Sequence, residues 1–371
     1  MVRTHTQRAR RAARGSQPED RPAAAVRDFR GTTASYDIEW DVRTVYDFVI
    51  SLSDEAGSTD DLPPADRRWL TEARAALPEM IRTDREALLG SELCINIAEL
   101  LVDRPDVANP AAFVEAVAQL DRRTAAEYFL ADLFHEPKKA DLVGRALDGD
   151  RTALTGLMDD LPEHKRAGRV AVLRDPDGTV RRLAAILDAW QRPFAEIEPR
   201  IRAMIARDVE ARAADVARLA PGDLIERVTG GVRYVPEPGI DRVILAPSYF
   251  TRPYNFLFSR DGWRLYCYPI ADTALDIHDP LEPPSSIVRL HRALGDPSRL
   301  RILRLLADGD RYLTEIAQAL ELSKPTVKHH MAQLRAAGLV ILTEEGALTY
   351  YSLRREGLDA VGADLRRFIP A

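Results

Sequence analysis

The feature that most constrains the fold of this 371-residue chain is a pair of short helices, joined by three residues, near the C-terminus. Apolar residues at helical spacing predict the first helix over Leu313–Leu320, and the turn Glu321-Leu322-Ser323 follows it. Ser323 is a preferred residue for capping a helix N-terminus, and Pro325 suits the first turn. Because Pro325 has no N–H, the capped donor should be that of Thr326. This spacing predicts a helix-turn-helix.

The second of these helices has one apolar and one polar face. Val327, Met331 and Leu334 recur at positions i, i+4 and i+7, so they should face the core. The opposite side is small, polar or basic, which allows a helix to approach a polyanion closely. The residues that we predict to contact DNA are Ser323, Lys324, Pro325, Thr326, Lys328, His329 and Gln333.

The flanking segments complete a winged helix, a helix-turn-helix followed by a β-hairpin. We therefore predict a DNA-binding and dimerisation domain over residues 286–371. The helix that follows the cap Asp296 should bury Leu300, Ile302, Leu303 and Leu306. The other predicted elements are helices over Ile287–Leu294 and Gly357–Phe368 and strands over Leu339–Thr343 and Leu348–Leu353. The last helix carries an apolar stripe that needs a partner surface, made of Leu358, Val361, Leu365 and Phe368.

Two separated segments, residues 293–303 (ALGDPSRLRIL) and 322–340 (LSKPTVKHHMAQLRAAGLV), resemble the ArsR-type winged-helix regulators. The resemblance covers only the C-terminal domain. A large N-terminal domain before the winged helix is also similar to the arrangement in uncharacterised members of this family. The resemblance implies a homodimer, paired through the first and last helices of the domain. It also implies a repressor that binds double-stranded operator DNA until an effector releases it.

The chain departs from the metal-sensing members of that family. They place two cysteines just before the third helix of the domain, where this chain has Tyr312 and Thr314. Others use Asp and His pairs on the last helix, but Gly357–Phe368 contains no histidine. We therefore expect no metal and no cofactor, and an effector that is a small molecule or a protein. Glu344 and Glu345 also stand at the wing tip, where a basic residue would help to hold phosphate.

Residues 36–285 are predicted to form a helix-rich sensor or regulatory domain that ends in short antiparallel strands. The fold class is thus mainly α with small β elements, plus the winged helix. Prolines such as Pro176 and Pro193 should begin successive helices. Eight of the 25 aromatic residues lie between Tyr249 and Tyr268; they indicate either a packed sheet face or an apolar ligand pocket. The predicted strands are Val232–Val235, Arg242–Ala246, Tyr254–Phe258 and Trp263–Tyr268.

Charge is distributed unevenly along the chain, whose net charge is −6. Residues 1–30 contain eight arginines and three acidic residues, and we predict a disordered basic tail over residues 1–35. Residues 287–371 contain 13 basic and 10 acidic residues, so the middle of the chain is acidic and nucleic-acid contacts belong at its ends. The apolar runs are too short for a membrane span, and two distant cysteines fit a reducing cytoplasm.

Two other classes of function are compatible with the sequence. The first is an enzyme, such as a transferase, that carries an accessory winged helix. A methyltransferase of that kind needs a glycine-rich loop after a strand, and the chain has no G-x-G-x-x-G. The second is a winged helix that binds proteins and not DNA, an idea that the acidic wing favours. We predict no catalytic residues.

Overall fold

The computed structural model describes residues 36–56, 61–90, 95–134, 137–159, 163–276, 281–345 and 348–369. The predicted basic tail, residues 1–35, lies outside this part of the chain. Within it, no helix combines the length and apolarity that crossing a membrane requires. We refer to residues 36–276 as the upstream part and to residues 285–369 as the winged helix.

The upstream part is mainly helical, as predicted. Several of its helices begin where a carboxylate or amide side chain accepts a backbone N–H, as Asn109 and Asp121 do. The helices are α1 (Val45–Ile50), α2 (Pro64–Ala75), α3 (Glu79–Arg85), α4 (Leu100–Asp103), α5 (Pro110–Ala118), α6 (Arg122–Phe129), α7 (Ala131–Phe134), α8 (Pro137–Leu147), α9 (Arg151–Asp159), α10 (Glu163–Arg174), α11 (Pro176–Ala211), α12 (Ala213–Arg218) and α13 (Pro221–Val228).

Helix α11 is the longest element, with 36 residues, and it corrects one prediction. Pro176 does begin it, but Pro193 lies inside it, although a helix start was expected there. A proline inside a helix removes one backbone hydrogen bond. Large buried side chains on both sides of Pro193, such as Trp190 and Phe194, pack into the core, so tertiary packing overrides the local preference.

The strands of the upstream part are β1 (Asp37–Trp40), β2 (Val232–Tyr234), β3 (Ile240–Ser248), β4 (Phe256–Arg260) and β5 (Gly262–Pro269). Four of them form a sheet in the order β1-β3-β5-β4. The predicted antiparallel pairing is confirmed for β4 and β5, but it is wrong for β3, which runs parallel to both β1 and β5. Strand β4 lies at the edge of the sheet and runs antiparallel to β5, so β5 has the same direction as β3. Parallel strands need cover on both faces, and alternate residues of β3 pack into two different buried clusters.

The aromatic cluster is a packed sheet face. On one side, Phe258 and Trp263 are buried against the helices, and Phe250 stacks on Trp69 with ring centroids 6.3 Å apart. On the other side, Tyr266 is buried with apolar residues of α13 and β2. Of the two interpretations of this cluster, the structure therefore supports the core for most of its residues, whereas Tyr254 lines a cleft.

The buried carboxyl group of Asp47 holds the loop that follows β3. Its Oδ1 atom accepts hydrogen bonds from the Ser248 hydroxyl at 2.7 Å and from the Phe250 N–H at 2.8 Å. Its other oxygen is buried without a partner among the described residues. The effect of burial exceeds that of the hydrogen bonds and raises the pKa of Asp47 from 3.8 to about 6.

This raised pKa predicts a pH-dependent stability. The folded protein holds the proton of Asp47 more tightly than the unfolded chain, so the free energy of unfolding should fall as pH rises from about 4 to about 6. Asp47→Asn keeps an accepting oxygen but removes the titration. In the wild type, the free energy of unfolding should fall by about 3 kcal/mol between pH 4 and pH 6 because of this group. We expect Asp47→Asn to abolish that fall, as measured by urea denaturation. The exposed Asp188→Asn should keep the wild-type slope; the same slope in Asp47→Asn would contradict the assignment.

The winged helix has the predicted elements in the predicted order. Leu303 and Leu306 are buried, but Leu300 is 48% exposed, contrary to expectation, because it lies about 200° around the helix from the buried Ile302. The elements are α14 (Ser285–Leu294), α15 (Pro297–Ala307), β6 (Arg311–Tyr312), α16 (Leu313–Leu320), α17 (Lys324–Ala336), β7 (Val340–Glu345), β8 (Leu348–Leu353) and α18 (Arg355–Phe368).

Candidate DNA-binding site

The turn between α16 and α17 fixes the start of the predicted recognition helix, α17. Glu321 ends α16 in the left-handed region, with φ of 57°. Ser323 then adopts an extended conformation, and its Oγ accepts the Thr326 N–H at 3.2 Å, as predicted. The two side-chain oxygens of this pair also lie 2.7 Å apart. The cap satisfies one of the free N–H groups of the first turn and directs α17 away from α16.

Helix α17 buries Val327, Met331 and Leu334 in the winged-helix core, and its opposite side faces outward. Most of the predicted contact residues lie together at its exposed N-terminal end. These are Ser323, Lys324, Pro325, Thr326, Lys328 and His329. They form a single surface about two turns long.

Gln333 occupies a different environment. It is half-buried and lines a groove between α17 and the upstream part. Its Nε2 atom lies 3.5 Å from Nε2 of His329. The helical periodicity placed Gln333 on the outward side, but it gave no information about the upstream residues that cover the C-terminal half of the helix.

The two lysines dominate the charge of this surface. Lys324 and Lys328 are exposed, and neither has an ion-pair partner among the described residues. They lie four residues apart, so their ammonium groups project from the same side of α17. A pair of free cations at the exposed end of a capped helix can bind two backbone phosphates.

The wing sheet continues into the upstream part, which the sequence analysis missed. Strand β2 pairs in parallel with β7, giving the order β2-β7-β8-β6. The Leu342 N–H donates to the Gly231 carbonyl at 2.8 Å. Gly231 has φ of +118°, and a Cβ there would lie 2.8 Å from the Val340 carbonyl oxygen, so only glycine fits this approach. The Gly230-Gly231 pair was the available sequence signal.

The acidic wing residue Glu344 lies beside the upstream part. Its Oε2 atom is 3.6 Å from Nη1 of Arg264, whose Nη2 also donates to Glu237 at 2.5 Å. The side chain of Glu345 and residues 346–347 lie outside the described part of the chain. Glu344 therefore has a cationic neighbour within the protein, which accounts for an acid at a position where a basic residue would help to hold phosphate.

Helix α14, the first of the winged helix, is bonded to the upstream part as well. The Ser286 N–H donates to Oδ2 of Asp272 at 2.7 Å. Arg289 pairs with Asp61, and its Nε donates to the carbonyl of Ala336, at the end of α17, at 2.7 Å. A single arginine thus connects the upstream part with the recognition helix.

Tyr312, at one of the positions that metal-sensing regulators fill with cysteine, packs against a neighbouring strand. The hydroxyl groups of Tyr312 and Tyr350 contact each other, and their ring centroids are 4.0 Å apart, which fastens β6 to β8. Among the residues that the structure describes, no group of three or more His, Cys, Asp or Glu side chains could hold a metal ion.

The fold and the site together define a winged helix-turn-helix protein. Residues 296–341 match the family described as "Bacterial regulatory protein, arsR family". The chain is 36% identical to the arsenical resistance operon repressor of Staphylococcus xylosus over 20% of this chain and 71% of that protein. It is 39% identical to the transcriptional repressor SdpR of Bacillus subtilis over 17% of this chain and 69% of SdpR. Through its C-terminal domain, the chain belongs to the ArsR family.

Two further comparisons concern the same region. The regulator CmtR of Mycobacterium tuberculosis is 45% identical over 69 residues, and the chain spans 58% of its length. That match covers 19% of this chain. A crystal structure of an ArsR family transcriptional regulator is 24% identical, with a TM-score of 0.22, and covers 23% of this chain and 89% of that one. These matches concern the winged helix alone.

Proposed function

We propose that this protein is a DNA-binding transcriptional regulator, most simply a repressor, in which helix α17 enters the major groove. The observation that carries the proposal is the exposed N-terminal end of α17, with two free lysines on a capped helix. The relatives named as transcriptional repressors support it over the enzyme alternative for this part of the chain.

The operator should be contacted by two copies of the winged helix. A single recognition helix reads one half-site, and regulators of this shape bind palindromes as two-fold dimers. Helix α18 supports this arrangement because none of its residues is fully buried within the chain. Two leucines of the predicted stripe remain open, with Leu358 37% and Leu365 36% exposed.

We further propose that residues 36–285 act as the regulatory domain and respond to an effector that is not a metal. The support is physical connection: this part shares a β-sheet with the wing through β2 and β7, and it is bonded to α14 through Asp61 and Asp272. A change of shape there would be transmitted to the recognition helix.

The connected wing also favours a second function, in which the winged helix serves as a protein-docking module. The pairing of β7 with β2 uses the wing edge for contact with protein. In that case α17 would bind a protein and not DNA.

Selection from random duplex DNA with the full chain decides between these functions. A regulator should enrich an inverted repeat whose half-sites lie about 10 base pairs, or a multiple of that, apart. Lys324→Ala with Lys328→Ala should strongly reduce the enrichment, since it removes the two free cations. The DNA-binding proposal is wrong if the full chain enriches no sequence over the starting pool.

A further inference from the structure

A cleft lies between the upstream part and the winged helix. It has a volume of about 780 Å³, which is in the range of small-molecule sites. Its walls come from the start of α14, the end of α17, α18, and the upstream residues that follow α13, β3 and β5. A molecule that fills it would contact both the upstream part and the winged helix.

Arginines outnumber acidic residues in the lining of the cleft. Seven arginines and three acidic residues line it. Five of the arginines have a carboxylate partner in the described part of the chain: Arg212 with Asp208, Arg227 with Asp215, Arg252 with Asp272, Arg289 with Asp61, and Arg367 with Asp364. The side chains of Arg335 and Arg354 have neither a hydrogen-bond nor an ion-pair partner among the described residues.

Arg335 is the more informative of these two residues. It lies in the last turn of α17 and is half-buried, and burial lowers its pKa. The charge of Glu344 opposes this effect, but Glu344 forms its ion pair with Arg264 and not with Arg335. Removing a cation from water without a direct partner is unfavourable, so proteins usually pair such groups. An unpaired guanidinium in a cleft of this size is therefore expected to have an external anion as its partner.

The remaining surface of the cleft is partly apolar. Tyr254 of the upstream part and Ile287 of α14 line it, and Phe368, at the end of α18, adds an aromatic ring. A bound molecule would therefore place a charged group at the arginines and an apolar group against these side chains. The guanidinium plane matches carboxylate and phosphate oxygens equally well.

We propose that this cleft is the effector site and that it binds a small organic anion. Arg335 and Arg354 hold its carboxylate or phosphate group, and Tyr254, Ile287 and Phe368 contact its apolar part. The regulatory role of the site rests on the proposed function, whereas anion binding does not. Because Arg335 belongs to α17 itself, the anion changes the affinity for DNA, and DNA changes the affinity for the anion by the same factor.

The test is a calorimetric and thermal-unfolding titration of the full chain with benzoate, phenyl phosphate and the neutral benzyl alcohol. We expect at least one of the two anions to bind and to raise the unfolding temperature, and benzyl alcohol to have no effect. A response to benzoate alone identifies a carboxylate site, and one to phenyl phosphate alone a phosphate site. If neither anion binds at millimolar concentration, the proposal is wrong.

Substitutions of the two unpaired arginines test whether the anion binds in the cleft. Arg335→Gln and Arg354→Gln should each weaken anion binding by about tenfold or more, because each loses charge-assisted hydrogen bonds. Arg366→Gln, which removes the same charge from the exposed side of α18, should bind as the wild type does. Without ligand, Arg335→Gln should unfold no earlier than the wild type, since it removes an unpaired cation. Earlier unfolding, or unchanged anion affinity in both cleft variants, would contradict the site.

Failure of the two proposals can be distinguished. Sequence-selective DNA binding without anion binding would show that the effector-site proposal is wrong and that the proposed regulatory function is still supported. If the protein selects no DNA but binds an anion, and Arg335→Gln loses that binding, the anion site is supported and its regulatory role is wrong.

Discussion

Replacing Lys324 and Lys328 together with Ala is expected to reduce DNA affinity strongly and to make the remaining binding less dependent on salt. Each lysine is free and exposed at the start of α17, so each can neutralise one phosphate. Releasing the counterions of one phosphate contributes about 0.9 to the slope of log K against log salt concentration. The double substitution should therefore lower that slope by about 2 per half-site, or about 4 in a dimer.

Fluorescence titration of labelled operator over a range of salt concentrations measures this slope. Lys138→Ala with Lys139→Ala is the matched control, because it removes the same two charges from helix α8 of the upstream part. The control should retain the wild-type slope. Equal slopes for all three proteins would exclude the two lysines from the interface and favour the protein-docking alternative.

The winged helix was predictable because its elements are determined locally. Ser323 caps α17, and Asp296 accepts the Arg299 N–H at 2.9 Å at the start of α15, as the residue types indicate. Apolar periodicity then fixes which side of each helix is buried. Leu300 is the exception within the domain, since it was expected to be buried and is exposed. The environment outside the domain was also missing, so Gln333 was expected on an open surface and lies in a groove.

The upstream part was less predictable because the pairing of its strands depends on contacts between residues far apart in the sequence. Strand β1 was missed: it has only four residues, two of them acidic, and its main stabilising contact is with β3, some two hundred residues later. The direction of strand pairing is also a property of chain routing, which no local pattern encodes. The pairing of β2 with β7 likewise joins segments about a hundred residues apart.

These long-range contacts bear on how the protein would be regulated. A winged helix tethered by a flexible linker could respond to an effector only through its own surface. Here one β-sheet spans both parts, and Arg289 connects Asp61 to the end of the recognition helix. A ligand in the cleft would therefore act on a connected structure with few independent movements, which favours a switch between two arrangements.

Dimerisation has the largest predicted effect on function. The four apolar residues of the α18 stripe have different surroundings. Val361 packs against the winged-helix core, and Phe368 lines the cleft. Leu358 and Leu365 project outward, 37% and 36% exposed, from a helix without a buried residue. A second copy of the same surface would cover these leucines around a two-fold axis, as an isologous contact requires.

Leu358→Glu with Leu365→Glu should therefore convert a dimer into a monomer, because it brings carboxylates together where the leucines would pack. A monomer loses the second half-site, so affinity for the palindromic operator should fall by about a hundredfold or more. Sedimentation velocity at micromolar concentration and operator titration measure the two effects. Met80→Glu, at a residue 76% exposed on α3, should change neither. A wild-type protein that sediments as a monomer, and whose operator affinity is unaltered by the double substitution, would show that a single winged helix suffices for binding.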